Sequence, residues 1–163
     1  MKKLLFCLFF LLFLNVQAFS LKGGVSEEYI PQGFFGSWGV ISKLDSTNNP
    51  NFFNKGSRDI WTLSGHSNIL VLQNLESGAR SQIEIKEKTK DGKTLKFERE
   101  KIANNGENKI VYREIVSFSL WGNNFSGTDK FIVEKYNNKG ALLEKNEAKY
   151  IIEGVKISGT KPN

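Results

Sequence analysis

The chain is expected to be all-β: an antiparallel meander of eight strands behind an export leader. Three observations carry this expectation. Beyond residue 34, apolar residues recur at every second position, the period of a half-buried strand. The three-and-four spacing of an amphipathic helix is almost absent there. Clusters of Gly, Asn and Asp separate the runs, and most are short enough only for hairpin turns.

The leader comes first. Lys2 and Lys3 form a positive head, Leu4–Leu14 is an unbroken apolar run, and Val16 and Ala18 supply the small-residue pattern of a peptidase site. The run is too short to span a bilayer, which takes about twenty residues. Residues 1–18 therefore read as a cleaved signal peptide, with cleavage after Ser20 as the alternative. Residues 19–163 read as a single all-β domain, exported to a periplasm or the extracellular space. No second apolar stretch follows, so no transmembrane anchor is expected after cleavage.

Composition narrows the function classes. The formal net charge is +6, and loss of Lys2 and Lys3 leaves +4. These charges alternate in sign, as in Glu84, Lys86, Lys88, Lys96, Glu98 and Glu100, which describes a solvated sheet face and not a nucleic-acid surface. The sole cysteine, Cys7, lies in the leader. The exported domain must then be held by its core and hydrogen bonds, without disulfides.

The strands follow in order. The first spans about Phe35–Leu44, with Trp38, Val40 and Leu44 on one face. The second is Asp59–Ser64. A Gly65–Asn68 turn leads to the third, Ile69–Gln73, and Glu76-Ser77-Gly78 leads to the fourth, about Ala79–Lys88. The fifth is Lys93–Ile102. Asn104-Asn105-Gly106 precedes the sixth, Lys109–Trp121, and Gly122-Asn123-Asn124 precedes the seventh, Phe125–Tyr136. Asn137–Gly140 precedes the last, about Ala141–Ile157. Tyr150 and Ile152 share one parity and Val155 and Ile157 the other, which predicts a β-bulge near Gly154.

Parity also tests the hairpin of strands four and five. A two-residue Asp91-Gly92 turn would oppose Ile85 to Glu98. A connection over Lys88–Gly92 opposes Ile85 to Leu95 and Ile83 to Phe97, and sets Arg99 against Ser81. Arg99 then points into the interior or lies at a wet rim, where Lys101 shares its parity. Inside, its guanidinium would need a partner such as a ligand carboxylate. Short connections between sequential strands favour an up-and-down barrel, with an open sandwich of two sheets as the alternative. The connection Asp45–Arg58 stands apart. It is long and polar, yet holds Phe52 and Phe53, so it either caps the core or forms a lid over a cavity mouth.

The Gly36-Ser37-Trp38 sequence, its lead-in Tyr29–Phe35, the long first loop and the eight-strand meander together resemble the lipocalins (the calycin barrels). That resemblance implies that Gly36 and Trp38 close one end of a barrel, with Lys156 the candidate basic residue over the tryptophan. It also implies that the first loop partly covers the other end and that the interior carries a small apolar or fatty-acid-like molecule. Phe52, Phe53, Trp61, Phe97 and Arg99 would then line the mouth and cavity.

Signals for catalysis are weak. His66 is the only histidine and sits in a Ser-Gly-His-Ser-Asn turn, where serines usually serve the backbone. Metal ligands do not cluster, and no nucleotide-binding glycine loop occurs, so no cofactor and no metal are expected. Glu98 and Glu100 share a face with Lys96, which reads as solvent-exposed. The expectation is an exported, non-enzymatic binding protein. The alternative is a solid-cored β-domain that binds an envelope protein or the cell envelope.

Overall fold

Eight strands wind up and down in one sheet whose two ends curl toward each other into a nearly closed barrel. The computed structural model describes residues 30–86 and 90–159. A 3-10 turn at Gln32–Phe34 precedes β1 (Gly36–Thr47), β2 (Gly56–His66), β3 (Ile69–Asn74) and β4 (Arg80–Glu84). Then come β5 (Thr94–Asn105), β6 (Asn108–Trp121), β7 (Asn124–Tyr136) and β8 (Leu142–Ser158). The spatial order is β4-β3-β2-β1-β8-β7-β6-β5, so the last strand crosses over to pair with the first and every other pairing is a hairpin. The leader and its cleavage sites lie outside the described residues, as do the end of the expected fourth strand and part of the 88–92 connection.

Alternation decides what fills the barrel. Trp38 and Val40 of β1, Leu63 of β2, Leu70 and Leu72 of β3 and Ile83 of β4 point inward. So do Leu95 and Phe97 of β5, Val116, Phe118 and Leu120 of β6, Phe125 of β7 and Ile152 of β8. Together with Ile30 and Phe34 they form one contiguous apolar cluster. Gly36 opens β1 at φ +123°, and a side chain there would overlap the Ser158 carbonyl oxygen of β8. This close approach lets the first and last strands meet at the closed end.

Three expectations are corrected. The first loop is shorter than Asp45–Arg58, because β1 continues to Thr47 and β2 begins at Gly56, with Lys43 opposite Gly56. The extra strand residues are polar because they run along a wet rim, where alternation leaves no apolar trace. The bulge is not at Gly154. Tyr150, Ile152 and Gly154 all point inward, while Val155 and Ile157 point outward, each 60% exposed. Gly154 interrupts the apolar pattern because its missing side chain makes room for the Phe125 ring. The register shift nearest Gly154 lies further on, where Ser37 opposes Ser158 but Trp38 opposes Lys156, leaving Ile157 unmatched. Finally, β4 and β5 form no ladder. The Ile85 amide donates to the Asn68 carbonyl oxygen at 2.7 Å, on the β3 side and away from β5. Shared parity put Ile83, Ile85, Leu95 and Phe97 on one face without requiring their backbones to pair.

Candidate functional site

The interior has two unlike halves. At one end the 3-10 turn folds beneath the barrel, and the Trp38 Nε1–H donates to the Phe34 carbonyl oxygen at 2.8 Å. The Lys156 ammonium lies 4.9 Å from the centre of the Trp38 ring and donates to the Gly33 carbonyl oxygen at 2.7 Å. Phe34 meets Phe118 edge-on at 5.1 Å, and Phe125 packs on Trp38 at 5.1 Å and on Phe118 at 4.6 Å. Trp38 and Phe34 are fully buried. This end is filled and sealed.

Toward the other end the same strands turn polar side chains inward around a cavity of about 290 Å³. Trp61, Phe97, Phe131 and Tyr150 supply aromatic walls, and Asp59, Arg99, Glu114 and Asp129 supply charge. A second hollow of about 450 Å³ lies along the gap between β4 and β5 and shares Ser81, Arg99, Glu114 and Phe131 with the first. The unladdered seam therefore borders the cavity directly.

The charges come from neighbouring strands by register. Arg99 on β5 is opposite Glu114 on β6, and Asp129 on β7 is opposite Tyr150 on β8. The Arg99 Nε–H donates to a Glu114 carboxylate oxygen. One Arg99 Nη–H donates to Ser81 Oγ at 2.9 Å, across the seam. Asp59 accepts hydrogen bonds from Ser57 Oγ at 2.6 Å and from the Asn74 side-chain amide at 2.9 Å. Asp129 differs: it is 4% exposed, and its Oδ1 has no hydrogen-bond partner among the described residues. Burial pushes the Asp129 carboxyl up to about 7, although the nearby Arg99 charge pulls the other way. Burial likewise holds Arg99 below its usual value, with Asp129 partly offsetting it. Tyr150, whose hydroxyl donates to the Asn54 carbonyl oxygen at 2.9 Å, is raised by burial and then by the Asp129 charge.

Of the residues anticipated from sequence, Trp61, Phe97 and Arg99 line this cavity. Gly36 and Trp38 lie at the sealed end. Phe52 and Phe53 sit in the 48–55 loop, where their rings meet edge-on at 4.9 Å and do not line the cavity. The loop is tied to β8: the Asn48 side chain donates to the Lys145 carbonyl oxygen and accepts from the Glu147 amide, and Asn49 donates to Asn146 Oδ1. Its Asn54, not its phenylalanines, reaches the cavity wall. Glu98 and Glu100 are exposed partners of Arg113 on the outer face, and His66 is exposed at the end of β2.

Sequence reasoning missed Asp129 and Glu114. The signal was parity. Asp129 shares a face with Phe125 and Gly127, and Glu114 shares one with Val116, Phe118 and Leu120. Among the described residues no three His, Cys, Asp or Glu side chains gather as a metal centre would require. No family model, curated protein or solved structure matches the chain. The functional reading therefore rests on the geometry of the barrel.

Proposed function

We propose that this protein is an exported, non-enzymatic binding protein that holds a small ligand inside a lipocalin-like barrel. The observation that carries this reading is the division of the interior. One half is packed solid around Trp38, while the other keeps a cavity of about 290 Å³ with aromatic walls and inward charges. That volume is at the small end of ligand pockets, which typically run from about 300 to 1,000 Å³. The lipocalin likeness is supported by Gly36-Ser37-Trp38 at the start of β1, by Lys156 over the Trp38 ring and by the up-and-down order of the strands.

The test is native mass spectrometry of the protein purified from a host that exports it. The expected result is a stoichiometric small molecule that survives purification and leaves on denaturation. A clean apo mass, together with no uptake from a panel of small apolar, anionic and cationic compounds, would overturn the reading. One observation favours a second reading, that of a protein-interaction domain. On the outer face near the sealed end, Trp121, Val155 and Ile157 are each about 60% exposed, and aromatic and aliphatic side chains so placed suit a protein partner.

A further inference from the structure

The charges in the cavity are not equally committed. Among the described wall residues Arg99 is the only cation, and it already serves Glu114 and Ser81. Asp59 is satisfied by Ser57 and Asn74. Asp129 remains, 4% exposed, on the cavity wall, with an oxygen that accepts nothing among the described residues. A buried acceptor left unsatisfied costs on the order of 1–3 kcal/mol, and more when it is charged. An occupant that donates to it recovers that cost. Counting Asp59, Glu114 and Asp129 against Arg99, the wall carries an excess of negative charge.

We propose that the ligand is a small organic amine whose ammonium group takes Asp129 as its counter-ion. This rests on the reading of the barrel as a ligand holder and names the class of ligand. The ammonium supplies N–H donors to the unpartnered Asp129 oxygen and adds positive charge to a wall where Arg99 stands against three carboxylates. The rings of Trp61, Phe97, Phe131 and Tyr150 suit the apolar part of such a molecule, and their faces attract a cation as well. A carboxylate in the same place would meet Asp129 and Glu114 as like charges and would find Arg99 already engaged. A bare metal ion would find no cluster of three His, Cys, Asp or Glu side chains among the described residues, and a guanidinium beside it.

The experiment is calorimetric titration of the protein, produced with its leader in an exporting host, at pH 8. Three probes of one shape are used: 2-phenylethylamine, 2-phenylethanol and 3-phenylpropanoate. The amine is expected to bind about tenfold or more tighter than the alcohol, and the carboxylate most weakly. In D129N the amine falls to within about twofold of the alcohol measured in the same variant, so the amine-to-alcohol ratio reports the charge at Asp129. A second measurement needs no variant. Asp129 faces Arg99 from β5, Glu114 from β6, Tyr150 from β8 and, across the cavity, Asp59 from β2. With its carboxyl held at about 7, amine affinity in the natural protein should fall about tenfold or more between pH 8 and pH 5.5, since phenylethylamine keeps its proton throughout. Equal binding of amine and alcohol, a preference for the carboxylate, or amine affinity indifferent to D129N and to pH would overturn the amine assignment and leave the ligand-holding reading standing. If none of the three binds at millimolar concentration, the assignment also falls, and native mass spectrometry of the untreated protein decides separately whether the barrel holds anything.

Discussion

The two ends of the barrel are built from the same strands and the same alternation, yet they solve opposite problems. Around Trp38 the inward positions carry large apolar side chains that touch on every side, and even the backbone is shaped to them, with Gly154 leaving space for the Phe125 ring. Around Asp129 the inward positions carry Ser42, Ser57, Ser81, Arg99 and Glu114, which leave a hollow and require one another as partners. The stability of the molecule is therefore unevenly distributed. The sealed end contributes apolar burial and close packing, while the open end holds desolvated charges that fold only because the rest is well packed. Binding sites are commonly placed on such a rigid base.

The largest effect is expected from breaking the sealed end. Trp38 is fully buried and its ring nitrogen is hydrogen-bonded to Phe34. Trp38→Ala should cost about 3–5 kcal/mol, as large-to-small changes in cores do. Urea unfolding followed by circular dichroism should show a large drop in midpoint. A loss below about 1 kcal/mol would mean that the barrel does not depend on this end for its stability.

At the open end, the next effect is one of pH. The Asp129 carboxyl sits at about 7 in the folded protein, against an ordinary value near 3.9 for an unfolded aspartate. The folded state therefore binds the proton more tightly. The stability this contributes is fully present below about pH 4 and is lost as pH rises through about 7. By pH 8 the loss should reach about 4 kcal/mol, an order-of-magnitude figure because Arg99 and Asp129 share it. Other carboxylates tilt the curve the opposite way; Glu147, lowered by its hydrogen bonds from Lys130 and Lys145, favours folding at higher pH. The informative quantity is thus the difference between the natural protein and D129N. That difference should grow in favour of the variant from pH 4 to pH 8, and a flat difference would place Asp129 in contact with water.

Much of this fold was legible in the sequence, for a physical reason. A strand with one buried face must alternate, and a hairpin turn needs Gly or Asn where the backbone adopts positive φ, as at Gly106 and Gly122. What alternation does not encode is pairing. Ile85 and Leu95 share the inner face whether or not their backbones meet, so the open seam between β4 and β5 could not be read from parity. Nor could the extension of β1 through Thr47, since both faces of that stretch are wet. Arg99 was legible as a charge on the apolar parity, opposite Ser81, and its guanidinium does reach Ser81 across the seam. Asp129 and Glu114 obey the same rule, but they look like ordinary strand charges until the closure of the barrel sets them around one cavity. Phe52 and Phe53 show what the sequence leaves open: adjacent aromatics in a polar loop do not say which surface they meet, and here their rings meet each other and not the cavity wall.

Arg99 and Glu114 join the seam to the cavity. Removing Arg99 alone, as Arg99→Met, leaves the Glu114 carboxylate, whose side chain is 10% exposed, without its partner. Breaking a fully buried pair costs about 3–5 kcal/mol, but the Arg99 side chain is 38% exposed, so about 2 kcal/mol is expected here. Replacing both residues, Arg99→Met with Glu114→Leu, should recover most of the loss, because the cost comes from an unpaired charge and not from a missing attraction. If the double variant is as unstable as the single one, the open end depends on its ion pair for structure as the sealed end depends on its rings.

The smallest effect tests whether the sealed end uses charge at all. Lys156 has its ammonium 4.9 Å from the centre of the Trp38 ring and 2.7 Å from the Gly33 carbonyl oxygen. A cation over an indole and a charge-assisted hydrogen bond each contribute modestly where water has partial access. Lys156→Met keeps the aliphatic stem and removes both, so a loss of about 1 kcal/mol is expected in the urea midpoint. Ligand affinity should not change, because Lys156 does not line the cavity. Lys156→Arg retains a cation able to stack on the ring and should fall between the two. No loss in the methionine variant would mean that the aromatic packing seals this end unaided. Charge would then have a role in this interior only around the cavity.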